Sequence, residues 1–131
     1  MMRAEGPNEV VIVAHRGQKP GVVQVGMRLP LTGDSATARV LRTGRSTRMT
    51  ASVDGEGAIA ELVRRAGSVT TVGTPIVVEG RIWGVITASW PSDEEPPPDA
   101  EERLTEFAKL LDSAIANADS RAQLTASRAR V

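Results

Sequence analysis

The chain has 131 residues, 16 basic and 16 acidic side chains, one histidine and no cysteine, a length that suits one domain. Zero formal net charge and only three aromatic residues, Trp83, Trp90 and Phe107, argue against a nucleic-acid binder, which needs a basic footprint and stacking platforms. The lack of cysteine excludes disulfides, thiolate nucleophiles, Cys-ligated zinc and iron–sulfur clusters, and a lone His15 excludes a multi-histidine metal site within one chain.

Residues 1–8 contain Gly6, Pro7 and Asn8 and read as a disordered start outside the folded unit. Val10, Val11, Ile12, Val13 and Ala14 form a β-branched run, as a buried strand does. Val23, Val25, Met27 and Leu29 then alternate with their neighbours, predicting a second extended segment that Pro30 ends. Asp34 or Ser35 can cap a short helix with Ala36, Val40 and Leu41 on one face, and Gly44 is placed to stop it. An extended stretch near 46–51 and a loop at Asp54–Gly57 follow. Ile59, Leu62, Val63 and Ala66 make one stripe of an amphipathic helix stopped by Gly67. The strongest β pattern is a hairpin, Val72–Val78 and Ile82–Trp90 around Glu79-Gly80-Arg81. By alternation, Ile82, Gly84, Ile86, Ala88 and Trp90 share one face, and Trp83, Val85, Thr87 and Ser89 the other. Neither face is charged, so both are expected to be covered.

Pro91–Pro98 reads as an acidic, proline-rich linker. Asp99 with Glu102 makes a capping-box-like start for a helix running to about Arg128, roughly 43 Å. Within it Leu104, Ala108, Leu111, Ile115, Ala118 and Ala122 recur at spacings of four and three, the heptad seam of a coiled coil. Phe107, Leu110 and Ala114 add a second stripe in the first half only. The helix is therefore expected to serve both its own sheet and a partner, with the heptad seam as the dimer contact; on that reading Leu111→Arg would split a dimer.

Catalytic chemistry finds little support. His15 lies on a predicted strand end with no nucleophile motif nearby, and no glycine-rich phosphate loop is present. His15 as an axial haem or metal ligand competes with a solvated strand end. Arg39, Arg42, Arg45 and Arg48 recur every three residues with no acid among them; a solvated face is the stronger reading over an anion site. Thr87 and Ser89, on the strand face assigned to Trp83, are hydroxyls on an otherwise apolar covered face and need partners. Those partners are backbone, helix neighbours or a bound small molecule.

The stretch Val72-Gly73-Thr74-Pro75-Ile76-Val77-Val78-Glu79-Gly80-Arg81-Ile82-Trp83-Gly84-Val85 resembles the central hairpin of GAF domains. Gly33-Asp34-Ser35 with Val40-Leu41-Arg42-Thr43-Gly44-Arg45 is similar to the segment around that family's second helix. The tail Glu102–Phe107, Ala114–Ala118 and Arg121–Leu124 is similar to the closing helix of GAF modules in bacterial two-component sensor histidine kinases. The resemblance implies an α+β fold: a GAF-like, PAS-related antiparallel sheet of five to six strands, helices on both faces and a long C-terminal helix. The helix and first strand that normally begin the family are expected to be truncated here, so that either residues 1–8 supply a rudimentary sheet edge or the edge is open and needs a cover. The implied organisation is a core over 9–98 and a signalling helix over 99–131.

The resemblance also implies a small-molecule pocket between sheet and short helices, with His15, Trp83, Thr87 and Ser89 as its candidate residues. No cofactor can be named. Bilin attachment through Cys is excluded, and haem would rest on His15 with little to stack on. The expected function is a regulatory sensor domain of a signal-transduction histidine kinase, not itself an enzyme, homodimeric through its C-terminal helix. With no apolar run near the roughly 20 residues of a membrane span and no signal-peptide pattern, a cytoplasmic location is expected. The alternatives are a ligand-free structural dimerisation module and the effector domain of a transcription regulator.

Overall fold

The β-branched run near the middle of the chain folds as the expected hairpin, β5 (Thr70–Val78) and β6 (Arg81–Trp90). Glu79 and Gly80 close it with φ of 52° and 78°, the left-handed pair that a tight two-residue hairpin turn requires. The pairing runs from Thr70↔Trp90 to Ile76↔Gly84, then shifts so that Val77 faces Ile82. Trp83 is the extra residue, a β-bulge that breaks the alternation of β6.

The computed structural model describes residues 1–17, 21–50, 56–91 and 93–129. Its remaining strands are β1 (Met2–Glu5), β2 (Glu9–Ile12), β3 (Arg28–Pro30) and β4 (Thr47–Thr50). Together they form a six-stranded antiparallel sheet in the order β3-β2-β1-β6-β5-β4. The helices are α1 (Ala36–Thr43), α2 (Ala58–Arg65) and α3 (Ala100–Ala129). Ser92, the Asp54–Gly55 part of the expected loop and Arg130 lie outside the described residues.

Two sequence expectations are corrected at the start of the chain. Residues 2–5, expected to be disordered, form β1 in the interior of the sheet, paired with β2 on one side and β6 on the other. The strand is short, and half of it is Arg3 and Glu5, joined by a hydrogen bond from Arg3 Nε to Glu5 Oε1 of 3.0 Å, so its apolar pattern is faint. The Val22–Leu29 alternation, in contrast, yields only the three residues of β3. Met27 N donates to Gln24 O and Gly26 N to Ile12 O, so the chain turns there and Val25 is 65% exposed.

Helix α1 follows its caps. Ser35 Oγ accepts from Ala38 N at 3.1 Å, and Gly44, in the left-handed region, donates its N–H to Val40 O at 2.8 Å. Ser35 is buried, so Ser35→Ala should cost about 1 kcal/mol of stability, measurable by urea denaturation. Helices α1 and α2 cover one face of the sheet, where Met2, Val10, Ile12 and Leu29 pack with Ile59 and Leu62 of α2.

Helix α3 covers the other face, and here the expected seam is corrected. Ala108 is buried with Ile76 and Ile86, and Leu104, Leu111 and Ile115 pack against the same cluster. The first half of the heptad pattern is therefore occupied by the chain's own sheet. The stripe left in solvent is the other one, with Phe107 51% and Leu110 71% exposed. Ala118 and Ala122 are exposed where the helix continues past the cluster.

The start of α3 is fastened to β4. Arg48 Nε and Nη2 donate to Glu101 Oε1 and Oε2 at 2.6 and 2.9 Å, and Nη2 also donates to Pro97 O at 3.0 Å. Beside it, Thr74, Ser46 and Thr105 join hydroxyls at 2.8–3.3 Å, and Thr105 Oγ1 donates to Glu101 O at 2.8 Å. The hydrogen bond from Arg48 holds the Glu101 carboxyl below its ordinary range, as the one from Arg39 does for Asp34. A depressed carboxylate stabilises the fold above the ordinary range, about pH 4–5, and loses that contribution as pH falls through its folded value. Arg48→Gln should thus cost up to about 1 kcal/mol at pH 7, since the pair is partly exposed. Its stability should converge on that of the parent near pH 2, as denaturation at the two pH values would show.

Candidate ligand-binding cavity

Between the sheet and α2 lies a cavity of ≈ 620 Å³. Its floor is apolar: Met2 and Ile12 from the sheet, and Ile59, Leu62 and Val63 from α2. The strand β6 contributes Thr87 and Ser89, the exit of β2 contributes His15 and Arg16, and Trp90 and Glu94 lie on the rim. A second, smaller cavity of ≈ 30 Å³ shares Met2, Ile59, Val63 and Thr87 with it and is lined also by Thr37, Ala60 and Met49.

Three of the four residues expected at the pocket, His15, Thr87 and Ser89, line this cavity, and Trp83 does not. The bulge is the reason. It turns the indole of Trp83 to the opposite face, against the Ile76–Ile86–Ala108 cluster beneath α3. Ile82, expected to share a face with Ile86, instead lies near Gly44 after α1, its Cδ1 3.7 Å from where a Cβ there would sit. Arg16 and Glu94 are residues that sequence reasoning does not single out. The signal available was their position next to predicted strand ends, where a sheet opens to solvent.

The hydroxyl question is answered differently for the two residues. Ser89 Oγ is 2.9 Å from Thr71 Oγ1 across the hairpin, so it has a partner within the protein. Thr87 pairs across the strand with Gly73. Its Cγ2 lies 3.5 Å from where a Cβ on Gly73 would be, and its hydroxyl has no protein partner among the described residues. Three of the four arginines in the series are tied to the chain itself. Arg39 pairs with Asp34 through two bonds of 2.9 and 2.7 Å, Arg42 donates to Gly33 O at 2.9 Å, and Arg48 holds Glu101. Among the described residues, no group of three or more His, Asp and Glu could hold a metal ion.

A sheet with this order, short helices and a cavity on one face and a long helix on the other defines a sensor-type α+β domain. The family pattern of the GAF domain matches residues 2–115, and the chain belongs to that family, whose members are regulatory sensor domains. Among solved structures, it is similar to the phycocyanobilin-bound GAF domain of a cyanobacterial phytochrome, with a TM-score of 0.67 at 13% identity over 88% of this chain and 72% of that one. A phycoerythrobilin-bound GAF domain from a cyanobacterial phytochrome gives 0.66 at 12% identity, over 92% and 76%. The A. aeolicus Nlh2 GAF domain in an inactive state gives 0.50 at 18% identity, over 86% and 65%. No curated protein matches the chain. No helix among the described residues is long and apolar enough to cross a membrane.

Proposed function

We propose that this chain is the regulatory sensor domain of a cytoplasmic signal-transduction histidine kinase, coupling occupancy of the cavity to α3. One observation carries this reading: β6 is a shared wall. Thr87 and Ser89 line the cavity on one face, while Ile86, between them and Val85, joins the cluster under α3 on the other. A ligand that moves β6 therefore moves the surface on which Leu104, Ala108 and Leu111 rest, because packed interfaces repack between discrete arrangements instead of deforming continuously. Residues 116–129 extend α3 past that surface by about 20 Å, a lever that carries the change outward. The chain's part in this scheme is sensing, with phosphoryl transfer left to other segments.

A cavity of ≈ 620 Å³ left open by the chain's own side chains favours a sensor over a ligand-free structural module. Bilins bound in two of the structural relatives have no counterpart chemistry here: the chain has no cysteine for a thioether, and among the described residues Trp90 is the one aromatic side chain lining the cavity.

Pairing of α3 with that of a second copy would use Phe107 and Leu110, the apolar residues the sheet leaves exposed. Leu110→Arg should convert a dimer to a monomer in sedimentation with thermal stability within about 0.5 kcal/mol of the parent. A dimer unchanged by this substitution would contradict pairing through that stripe.

A further inference from the structure

The mouth of the cavity carries two opposite charges that the protein does not use. Arg16, at the exit of β2, and Glu94, in the segment after β6, both line it. Neither side chain forms an ion pair or hydrogen bond with a described residue. Three arginines away from the cavity are held by short contacts, Arg28 to Glu9 at 2.7 Å, Arg39 to Asp34 at 2.7 Å and Arg103 to Asp99 at 2.9 Å. Below the mouth, the floor of Ile12, Ile59 and Leu62 is buried and apolar. The hydroxyl of Thr87, which lines both cavities, has no protein partner among the described residues.

We propose that the cavity takes a small aliphatic zwitterion: a molecule with a carboxylate for Arg16, an amine for Glu94 and an unbranched or branched hydrocarbon body on the Ile12–Ile59–Leu62 floor. This deepens the sensor reading given above and rests on it. The physical reason is charge complementarity beside a low-dielectric floor, where an unmatched charge is penalised more than in water. A purely anionic ligand leaves Glu94 opposed to like charge, and a purely cationic one does the same to Arg16. A molecule bearing both groups meets both walls and brings no net charge into the cavity. The hydroxyl of Thr87 can donate to the carboxylate or accept from the amine, according to which end reaches it. A volume of ≈ 620 Å³ accommodates such a molecule at ordinary ligand sizes.

The test is calorimetric titration of the purified domain with norleucine, 6-aminohexanoate, hexanoate and hexylamine. The first two are zwitterions with adjacent and separated charges; the others carry one charge each on a similar body. At least one zwitterion should bind about tenfold or more tightly than both singly charged analogues, a gap of about 1.4 kcal/mol. Arg16→Gln should erase its advantage over hexylamine, and Glu94→Gln its advantage over hexanoate, with melting curves unchanged. Hexanoate or hexylamine binding as tightly as the zwitterions overturns the proposal, and so does binding by none of the four. If none binds but the protein carries a different non-covalent mass in native mass spectrometry, the sensor reading stands and the zwitterion falls alone.

Discussion

Leu111→Arg is expected to destabilise the whole domain by roughly 3 kcal/mol, a large share of the 5–15 kcal/mol that holds a typical domain folded. Leu111 packs against the cluster of Ile76, Ile86 and Ala108, and Ile76 is fully buried. A guanidinium at that position removes apolar packing and brings a charge to the helix–sheet contact with no acid to receive it. Urea denaturation should show a lower midpoint with an unchanged slope. The neighbouring Leu110→Arg should leave that midpoint in place, because Leu110 is 71% exposed. Equal effects at the two positions would mean that α3 does not rest on the sheet through the Leu104–Ile115 face.

The second large effect is expected at Gly57. Its φ of 99° and ψ of −178° fall in a region that only glycine occupies at ordinary cost. A Cβ there would run into the backbone carbonyl of Thr32 and lie 3.3 Å from Gly33 Cα. The close approach is enforced by paired backbone bonds, Asp34 N to Glu56 O at 2.8 Å and Glu56 N to Asp34 O at 2.7 Å. These bonds join the starts of α1 and α2, the second of which lines the cavity. Gly57→Ala should therefore cost about 3 kcal/mol or more, lowering the melting temperature by roughly 10 °C. Gly26→Ala provides the comparison: its φ is also positive, at 94°, but nothing lies within 4 Å of the added methyl. A smaller loss there would assign the difference to the backbone collision.

The elements that the sequence made legible are those in which local preference and tertiary packing agree. Ser35 and Gly44 bracket α1, the Ile59–Leu62 stripe defines α2, and β-branched runs around Glu79-Gly80 define the hairpin. What sequence periodicity cannot supply is phase and partner. One extra residue at Trp83 reverses which way its indole points, and alternation alone contains no mark of a bulge. The heptad spacing of Leu104, Ala108, Leu111 and Ile115 is the same whether the apolar face meets a second helix or a sheet. Here Ile76 and Ile86 take it, which leaves Phe107 and Leu110 outside. Strand β1 is held in place by pairing on both edges, information absent from its own four residues.

The cavity shows the same division. His15, Thr87 and Ser89 could be singled out because isolated polar groups on apolar strands need a reason. Arg16 and Glu94 could not, because they come from segments 78 positions apart in the numbering that only the folded sheet brings to one opening.

Native mass spectrometry of the purified protein tests the sensor account most directly. The account predicts a dimer carrying a non-covalent small-molecule mass, and predicts that Thr87→Trp, which places an indole at a wall common to both cavities, removes that mass while leaving the dimer. A chain that shows no bound mass under gentle ionisation, and is indifferent to Thr87→Trp, would contradict it.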